Sequence, residues 1–126
     1  MPTAKFNSAD LHIILSVQIK AKLEETAMLA LDTGASFVVI PWKFVHAIGI
    51  QVDPNKFIKT TTASSVETVP EIIIPEMSVL GQKVKNVKAI IKDLPPGVPV
   101  DGLLGLSFLK YFKLTLDFKK GLLSLE

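Results

Sequence analysis

The sequence predicts an all-β fold, and three observations support this prediction. Apolar residues make up 48% of the 126 residues, yet they occur in short segments separated by turn-forming residues. Within residues 11–20 the apolar Leu15, Val17 and Ile19 alternate with other side chains, a pattern typical of half-buried strands. Only two short segments carry helical signals. The length suffices to bury one core, so we expect a single domain spanning residues 1–126.

Turn signals divide the chain into its expected elements. A turn at residues 21–25 separates the first strand from a second over residues 26–31. Pro41 and Gly49 should bound a helical turn, because proline suits the start of a helix and glycine its end. The further expected elements are a hairpin at 57–74 with its tip near 63–65, two strands within 76–92 joined by a turn at 81–82, a loop at 94–99, a short helix within 106–112, and terminal strands at 113–118 and 122–125.

One carboxylate is predicted to lie on a tight turn between two strands. Apolar residues 28–31 precede Asp32, the turn is Thr33-Gly34-Ala35-Ser36, and residues 37–40 are apolar again. This pattern would hold Asp32 at a loop tip over a packed sheet. An Asp-Thr-Gly tripeptide alone arises by chance in roughly a few percent of chains of this length. The turn therefore needs a second signal before it indicates a function.

The second signal is Leu103-Leu104-Gly105, which reads as a strand entering a short helix. A glycine is expected at position 105 because the chain must turn there close beside another backbone. The two motifs together resemble those of retropepsin-like, retroviral-type aspartic proteases. In that family an aliphatic pair and a glycine follow the catalytic aspartate late in the chain and pack against its loop.

The resemblance implies a fold and a set of site residues. The implied fold is a single-domain closed β-barrel or sandwich with one short C-terminal helix and a flap hairpin. The implied site consists of the catalytic Asp32, the active-site loop residues Thr33, Gly34 and Ala35, the supporting motif Leu103, Leu104 and Gly105, and the flap or substrate-binding residues Thr62, Ala63, Ser64 and Ser65.

The resemblance also implies a homodimeric aspartic endopeptidase. These 126 residues hold one Asp-Thr-Gly loop, so a two-fold axis would have to bring Asp32 against its own copy. A water activated between the two carboxylates would then hydrolyse a peptide bond without metal or cofactor. Thr33 would reach across the axis, and the terminal strands would supply much of the dimer contact.

Two departures from the family pattern keep a second interpretation open. Flap tips usually contain glycine, whereas this one has Ser64-Ser65, and the chain has no arginine to form the ion pairs that brace retroviral dimers. The pattern is closer to stand-alone retropepsin-like domains of cellular, particularly prokaryotic, proteins. The alternative is therefore a catalytically inactive retropepsin-like domain that dimerises or binds peptides.

Composition argues against several other functions. All 14 basic residues are lysines, scattered and without interleaved aromatic residues, so we expect no nucleic-acid binding. His12 and His46 lack ligand-spaced partners, which argues against a metal site. The absence of cysteine and of apolar runs long enough for a signal peptide or a membrane span leads us to expect a cytoplasmic protein with no membrane association. Asp101 precedes Gly102, an ordinary turn pair, so we do not expect it to be a second catalytic acid.

Overall fold

The computed structural model describes residues 2–61 and 64–126. These residues form ten strands and two helices. In chain order the elements are β1 (Thr3–Lys5), β2 (Ile14–Lys20), β3 (Glu24–Leu31), β4 (Val38–Ile40), α1 (Trp42–Ile48), β5 (Phe57–Thr61), β6 (Val66–Val79), β7 (Gln82–Ile91), β8 (Gly102–Leu104), α2 (Leu106–Leu109), β9 (Leu114–Asp117) and β10 (Leu122–Leu125).

Six strands close into a barrel, which confirms the predicted all-β architecture. The order is β2-β3-β8-β4-β7-β6, and β6 returns to pair with β2. β8 runs parallel to β3 and antiparallel to β4, and β4 runs parallel to β7. β5 lies outside this ring and forms an antiparallel hairpin with the first part of β6. The hairpin therefore projects from the barrel, as expected for residues 57–74.

The alternation in the sequence fills the barrel interior. Leu15, Val17 and Ile19 on β2 are buried, while their neighbours on the strand face outward or are only half-buried. Side chains from β3, β6 and β7 complete the same cluster, together with Phe108 of α2. Burying each large aliphatic side chain contributes about 1.5–3 kcal/mol, so this interior is the main source of stability.

The terminal segments form a separate three-stranded antiparallel sheet in the order β1-β10-β9. The hairpin of β9 and β10 follows the predicted terminal strands, but β1 was not predicted. Thr3, Ala4 and Lys5 carry no local strand signal, and they become a strand by pairing with residues 122–124 of β10. The pairing is tertiary, so no short window of sequence reveals it.

The longest strand of the barrel contains two prolines. Pro70 and Pro75 both lie inside β6, which runs without a break from Val66 to Val79. The β6–β7 ladder skips Pro75 and the facing Asn86. Pro75 has no amide hydrogen to donate, and Asn86 adopts a positive φ of 57° opposite it.

Within the described ranges, no helix is long and apolar enough to cross a membrane.

Candidate active site

Asp32 directly follows β3, at the point where this strand pairs with β8. Leu31 lies opposite Leu104 in the parallel ladder, and the Asp32 amide donates a hydrogen bond to the Leu104 carbonyl at 3.1 Å. The predicted contact between the two sequence motifs, 71 residues apart, is therefore confirmed. Because the contact is made by main-chain atoms, it fixes the backbone of Asp32 whatever side chain occupies the position.

The Asp-Thr-Gly-Ala segment forms a tight turn that orients the carboxylate. The Ala35 amide donates to the Asp32 carbonyl at 3.2 Å, and the Gly34 amide donates to Asp32 Oδ1 at 2.9 Å. A Cβ atom on Gly34 would lie 3.2 Å from that same Oδ1, closer than most side chains tolerate. Glycine at this position therefore lets the amide approach the carboxylate. Thr33, at the top of the turn, is exposed.

The segment that follows β8 braces the far side of the turn. The Leu106 amide donates to the Ala35 carbonyl at 2.8 Å, and the Ser107 amide donates to the Ser36 carbonyl at 3.0 Å. Gly105 lies so close to the turn that an added Cβ would collide with the Phe37 carbonyl oxygen and come within 2.7 Å of the Ala35 oxygen. Both obstacles are backbone, so no side-chain rearrangement could relieve them.

A buried serine that the sequence analysis missed completes this brace. Ser107 Oγ accepts a hydrogen bond from the Val38 amide at 2.9 Å and donates one to the Lys88 carbonyl at 2.7 Å. It thereby joins α2 to β4 and β7 behind the Asp32 turn. The available signal was a single hydroxyl between the apolar Leu106 and Phe108, since a polar residue within an apolar run needs a buried partner.

Asp32 lies in a cleft with a volume of about 540 Å³. The apolar wall of the cleft belongs to a small cluster outside the barrel, in which Val39, Val69 and Ile90 are buried. Phe37, Ile58 and Leu103 pack against this cluster, so Leu103 of the supporting motif faces the cleft while Leu104 is buried in the barrel. One wall of the cleft is therefore apolar, while Lys59 and Lys92 also line the cleft that contains Asp32.

The hairpin of β5 and β6 reaches the cleft through residues of β5. Thr62 and Ala63 lie outside the described residues, and Ser64 and Ser65 are exposed. Among the described hairpin residues, Lys59, Thr60 and Thr61 of β5 line the cleft. The hairpin is tied to the cleft wall by an ion pair between Glu67 Oε2 and Lys92 Nζ at 2.7 Å. β5 was not identified from the sequence as the strand that lines the cleft.

Asp101 serves a structural purpose at the other end of β8. Its amide donates to the Met28 carbonyl and its Oδ2 accepts from the Met28 amide, both at 2.8 Å, and Lys43 Nζ lies 3.6 Å from Oδ1. Met28 precedes Asp32 by four residues, about 13 Å along a strand, so Asp101 is held at a distance from the Asp32 turn.

In the part of the chain that the structure describes, no group of three His, Cys, Asp or Glu side chains could hold a metal ion.

Comparison with known proteins decides the family. A family model described as "Aspartyl protease" matches residues 16–108, about three quarters of the chain and both motifs. The chain belongs to the aspartyl protease family. Among solved structures it is similar to a retropepsin-like aspartic protease from Rickettsia conorii, with a TM-score of 0.69 and 24% identity over 98% of this chain and 87% of that one. None of the curated proteins compared with the chain is similar enough to count as a match.

These similarities establish the fold of this aspartyl protease family member as retropepsin-like. The expected closed barrel with a short C-terminal helix is confirmed, although α2 spans only Leu106–Leu109 and α1 is the longer helix. The family match covers the Asp32 turn, the hairpin and the Leu103–Gly105 motif together.

Proposed function

We propose that the chain is an aspartic endopeptidase whose active site forms between two copies of Asp32. The observation that carries the proposal is the main-chain support of one carboxylate at the floor of a cleft. The Gly34 amide orients the Asp32 side chain, and the Leu104 carbonyl anchors its backbone. Membership of the aspartyl protease family supports the same conclusion.

The second carboxylate would come from a second copy. An aspartic protease needs two neighbouring carboxylates, because like charges a few ångströms apart share one proton rather than both ionising. These 126 residues contain one Asp-Thr-Gly turn, so a two-fold axis beside Asp32 supplies the pair. Thr33 is exposed at the top of the turn and is available to contact the partner subunit.

With two copies of Asp32 in place, each carboxylate has one task in each half of the reaction. The ionised aspartate takes a proton from water as the water oxygen adds to the carbonyl carbon of the peptide bond. The protonated aspartate gives its proton to the carbonyl oxygen. When the tetrahedral intermediate collapses, a proton passes to the leaving nitrogen and the carbon–nitrogen bond breaks.

The hairpin would act as the flap over the bound peptide. Thr60 and Thr61 of β5 already line the cleft, and Ile58 packs into its apolar wall. Thr62, Ala63, Ser64 and Ser65 at or beside the tip would then contact the peptide when the hairpin closes and excludes water. The apolar wall suits peptides with apolar side chains beside the cleaved bond.

The proposal is tested by incubating the protein with a mixed peptide library between pH 4 and 7. Asp32→Asn is the matched control, because its side-chain oxygen can still accept the Gly34 hydrogen bond while the ionisable group is lost. We expect wild type to cleave and Asp32→Asn to lose activity by about 10³-fold or more.

The outcome also separates the enzyme from the inactive alternative. A folded, dimeric wild type that binds peptides without cleaving them at any pH would contradict the proposal and establish a peptide-binding domain. Equal cleavage by both proteins would assign the activity to a contaminant and remove the support for Asp32.

A further inference from the structure

The charges that line the Asp32 cleft are unequal in number. Among the described residues that line it, the titratable side chains are Asp32, Lys59 and Lys92. Each copy therefore contributes one carboxylate and two ammonium groups. In the proposed dimer the two copies of Asp32 share one proton and carry a single negative charge between them, so the positive excess increases further. A peptide entering the cleft thus meets more cations than anions.

Lys92 lies on the same side of the sheet as the apolar wall, and its charge is compensated within the protein. Ile90 lines the cleft two residues earlier, and residues two apart along a strand point to the same face. Glu67 Oε2 lies 2.7 Å from Lys92 Nζ and neutralises this ammonium group. The next residue, Asp93, accepts a hydrogen bond from the Trp42 amide and does not line the cleft. Lys92 alone therefore adds little net charge to the wall.

Lys59 supplies a charge that the described protein leaves without an ionic partner. Lys59, Thr60 and Thr61 are successive residues, yet all three line the cleft. Because alternate side chains of a strand point to opposite faces, the cleft must border the outer edge of β5, which within the described chain pairs with β6 alone. Lys59 is exposed and takes part in none of the ion pairs among the described residues. Its ammonium group is therefore available to a charge on the peptide.

Lys59 is a neighbour of the Lys92–Glu67 pair, and together they carry one net positive charge. Thr60 stands opposite Glu67 in the β5–β6 ladder, and Lys59 directly precedes Thr60. An ionised carboxylate, from a glutamate or aspartate side chain of the peptide, is the group that balances this excess. The apolar wall receives the side chains directly beside the cleaved bond, so the acidic residue belongs farther along the peptide.

We infer that the cleft selects peptides that carry an acidic side chain within a few residues of the cleaved bond. Lys59 recognises the carboxylate, and Glu67 moderates the preference by neutralising Lys92. A two-fold axis would present the same lysines on the other side of the cleaved bond, so acidic residues on either side are favoured. This inference rests on the proposed function, because it assigns the substrate class of the Asp32 cleft.

Matched peptides measure the preference. A cleaved peptide without charged side chains is taken from the mixed library and synthesised with Glu, Gln or Lys at each of the four positions on either side of the cleaved bond. At about pH 6 a glutamate side chain is ionised, so Glu and Gln differ in charge but hardly in size. We expect kcat/KM to rank Glu above Gln above Lys at one or more positions, with Glu about fivefold better than Gln. Added salt should reduce this ratio, because it screens exposed charges.

Three variants, each changing one charge, assign the preference to particular residues. Lys59→Gln should lower the Glu/Gln ratio of kcat/KM to below about twofold, whereas Glu67→Gln frees the charge of Lys92 and should raise the ratio by about twofold or more. A general loss of stability would not move the ratio in opposite directions. Lys20→Gln is the matched control and should leave the ratio unchanged, because Lys20 pairs with the first residue of β3, at the end farthest from Asp32. Thermal unfolding checks that each variant is folded.

Three results would overturn the inference: equal cleavage of Glu and Gln peptides at every position, the same loss of preference in Lys20→Gln as in Lys59→Gln, or a lower ratio in Glu67→Gln.

Peptide binding separates this inference from the proposed activity. Fluorescence anisotropy measures binding of the same peptides to Asp32→Asn, alone and combined with each variant; if the library contains no cleaved peptide, the series is built on one that binds. Binding that favours Glu and follows the variants as expected, without cleavage by wild type, would support the role of Lys59 and refute the protease. Cleavage without a preference for Glu would do the reverse. A library that is neither cleaved nor bound would refute both.

Discussion

The turn that carries Asp32 and the hairpin that covers it are held by different kinds of interaction. Four main-chain hydrogen bonds fix the turn to β8, α2 and itself: those of Asp32, Ala35, Leu106 and Ser107. In the hairpin, β5 pairs with β6, and the hairpin contacts the rest of the cleft through a small apolar cluster and the partly exposed Glu67–Lys92 ion pair. The turn is therefore held by backbone contacts, whereas the hairpin is held to the cleft wall by side-chain contacts.

The difference corresponds to what each region would do in the proposed reaction. General acid and base catalysis requires the carboxylates to stay in register with the peptide, which favours backbone contacts that no rotamer change can loosen. A flap must open to admit a peptide and close again, which favours weak, partly exposed contacts. A turn held by backbone contacts and a hairpin held by side-chain contacts thus form adjacent parts of one cleft wall.

Gly105→Ala tests the rigid side of the comparison and should have the largest effect on stability. The added methyl group meets backbone oxygens of Phe37 and Ala35, so the turn must shift. We expect a loss of about 3 kcal/mol in the free energy of unfolding, measured by denaturant titration, together with loss of cleavage. Gly81→Ala is the comparison variant, because its methyl group meets no atom and only its φ of 78° is unfavourable. A Gly105→Ala protein as stable as Gly81→Ala would show that the close contact is unimportant.

Ser107→Ala tests the hydrogen bonds behind the turn. The substitution leaves the buried Val38 amide and Lys88 carbonyl without their partner. We expect a loss of about 2 kcal/mol in the free energy of unfolding, since an unsatisfied buried group costs more than the bond itself contributes. The exposed Ser16→Ala should stay within about 0.5 kcal/mol of wild type. Equal stability of the two variants would contradict a bracing role for Ser107.

Lys92→Met tests the mobile side and should have the smallest effect on stability. The ion pair with Glu67 is short, but the Lys92 and Glu67 side chains are 32% and 42% exposed, so its removal should cost below about 1 kcal/mol. We expect its effect to appear in KM for peptide, because the hairpin loses a contact to the cleft wall. Lys83→Met removes the Lys83–Glu76 pair between β7 and β6, away from the cleft, and is the matched control. A change in KM of the same size for both variants would show that the Lys92 pair does not act through the hairpin.

The same comparison separates what the sequence predicts from what it does not. Asp32 and Leu103–Gly105 could be singled out because each lies in a short motif, a turn or a strand end, and because the family resemblance links the two motifs. Ser107 was missed because its partners, Val38 and Lys88, lie far away in the chain. β1 was missed for the same reason, since β10 alone makes it a strand.

The hairpin was predicted as an element but its cleft-lining residues were not. The sequence predicted a hairpin at 57–74, yet its pattern does not say which strand of the hairpin faces a neighbouring wall. Thr60 and Thr61 line the cleft because Ile58 packs onto the cluster around Val39 and Ile90, a tertiary contact.

Subunit mixing tests the central claim most directly, namely that each active site takes one Asp32 from each copy. Wild type is mixed with an equal amount of Asp32→Asn under conditions that allow subunits to exchange, and peptide cleavage is compared with wild type diluted by an unrelated protein. If heterodimers are inactive, about one quarter of all dimers keep both aspartates, so activity per wild-type chain should fall to about half that of the dilution control. Activity per wild-type chain equal to that control would mean that one Asp32 suffices, and would contradict the shared site.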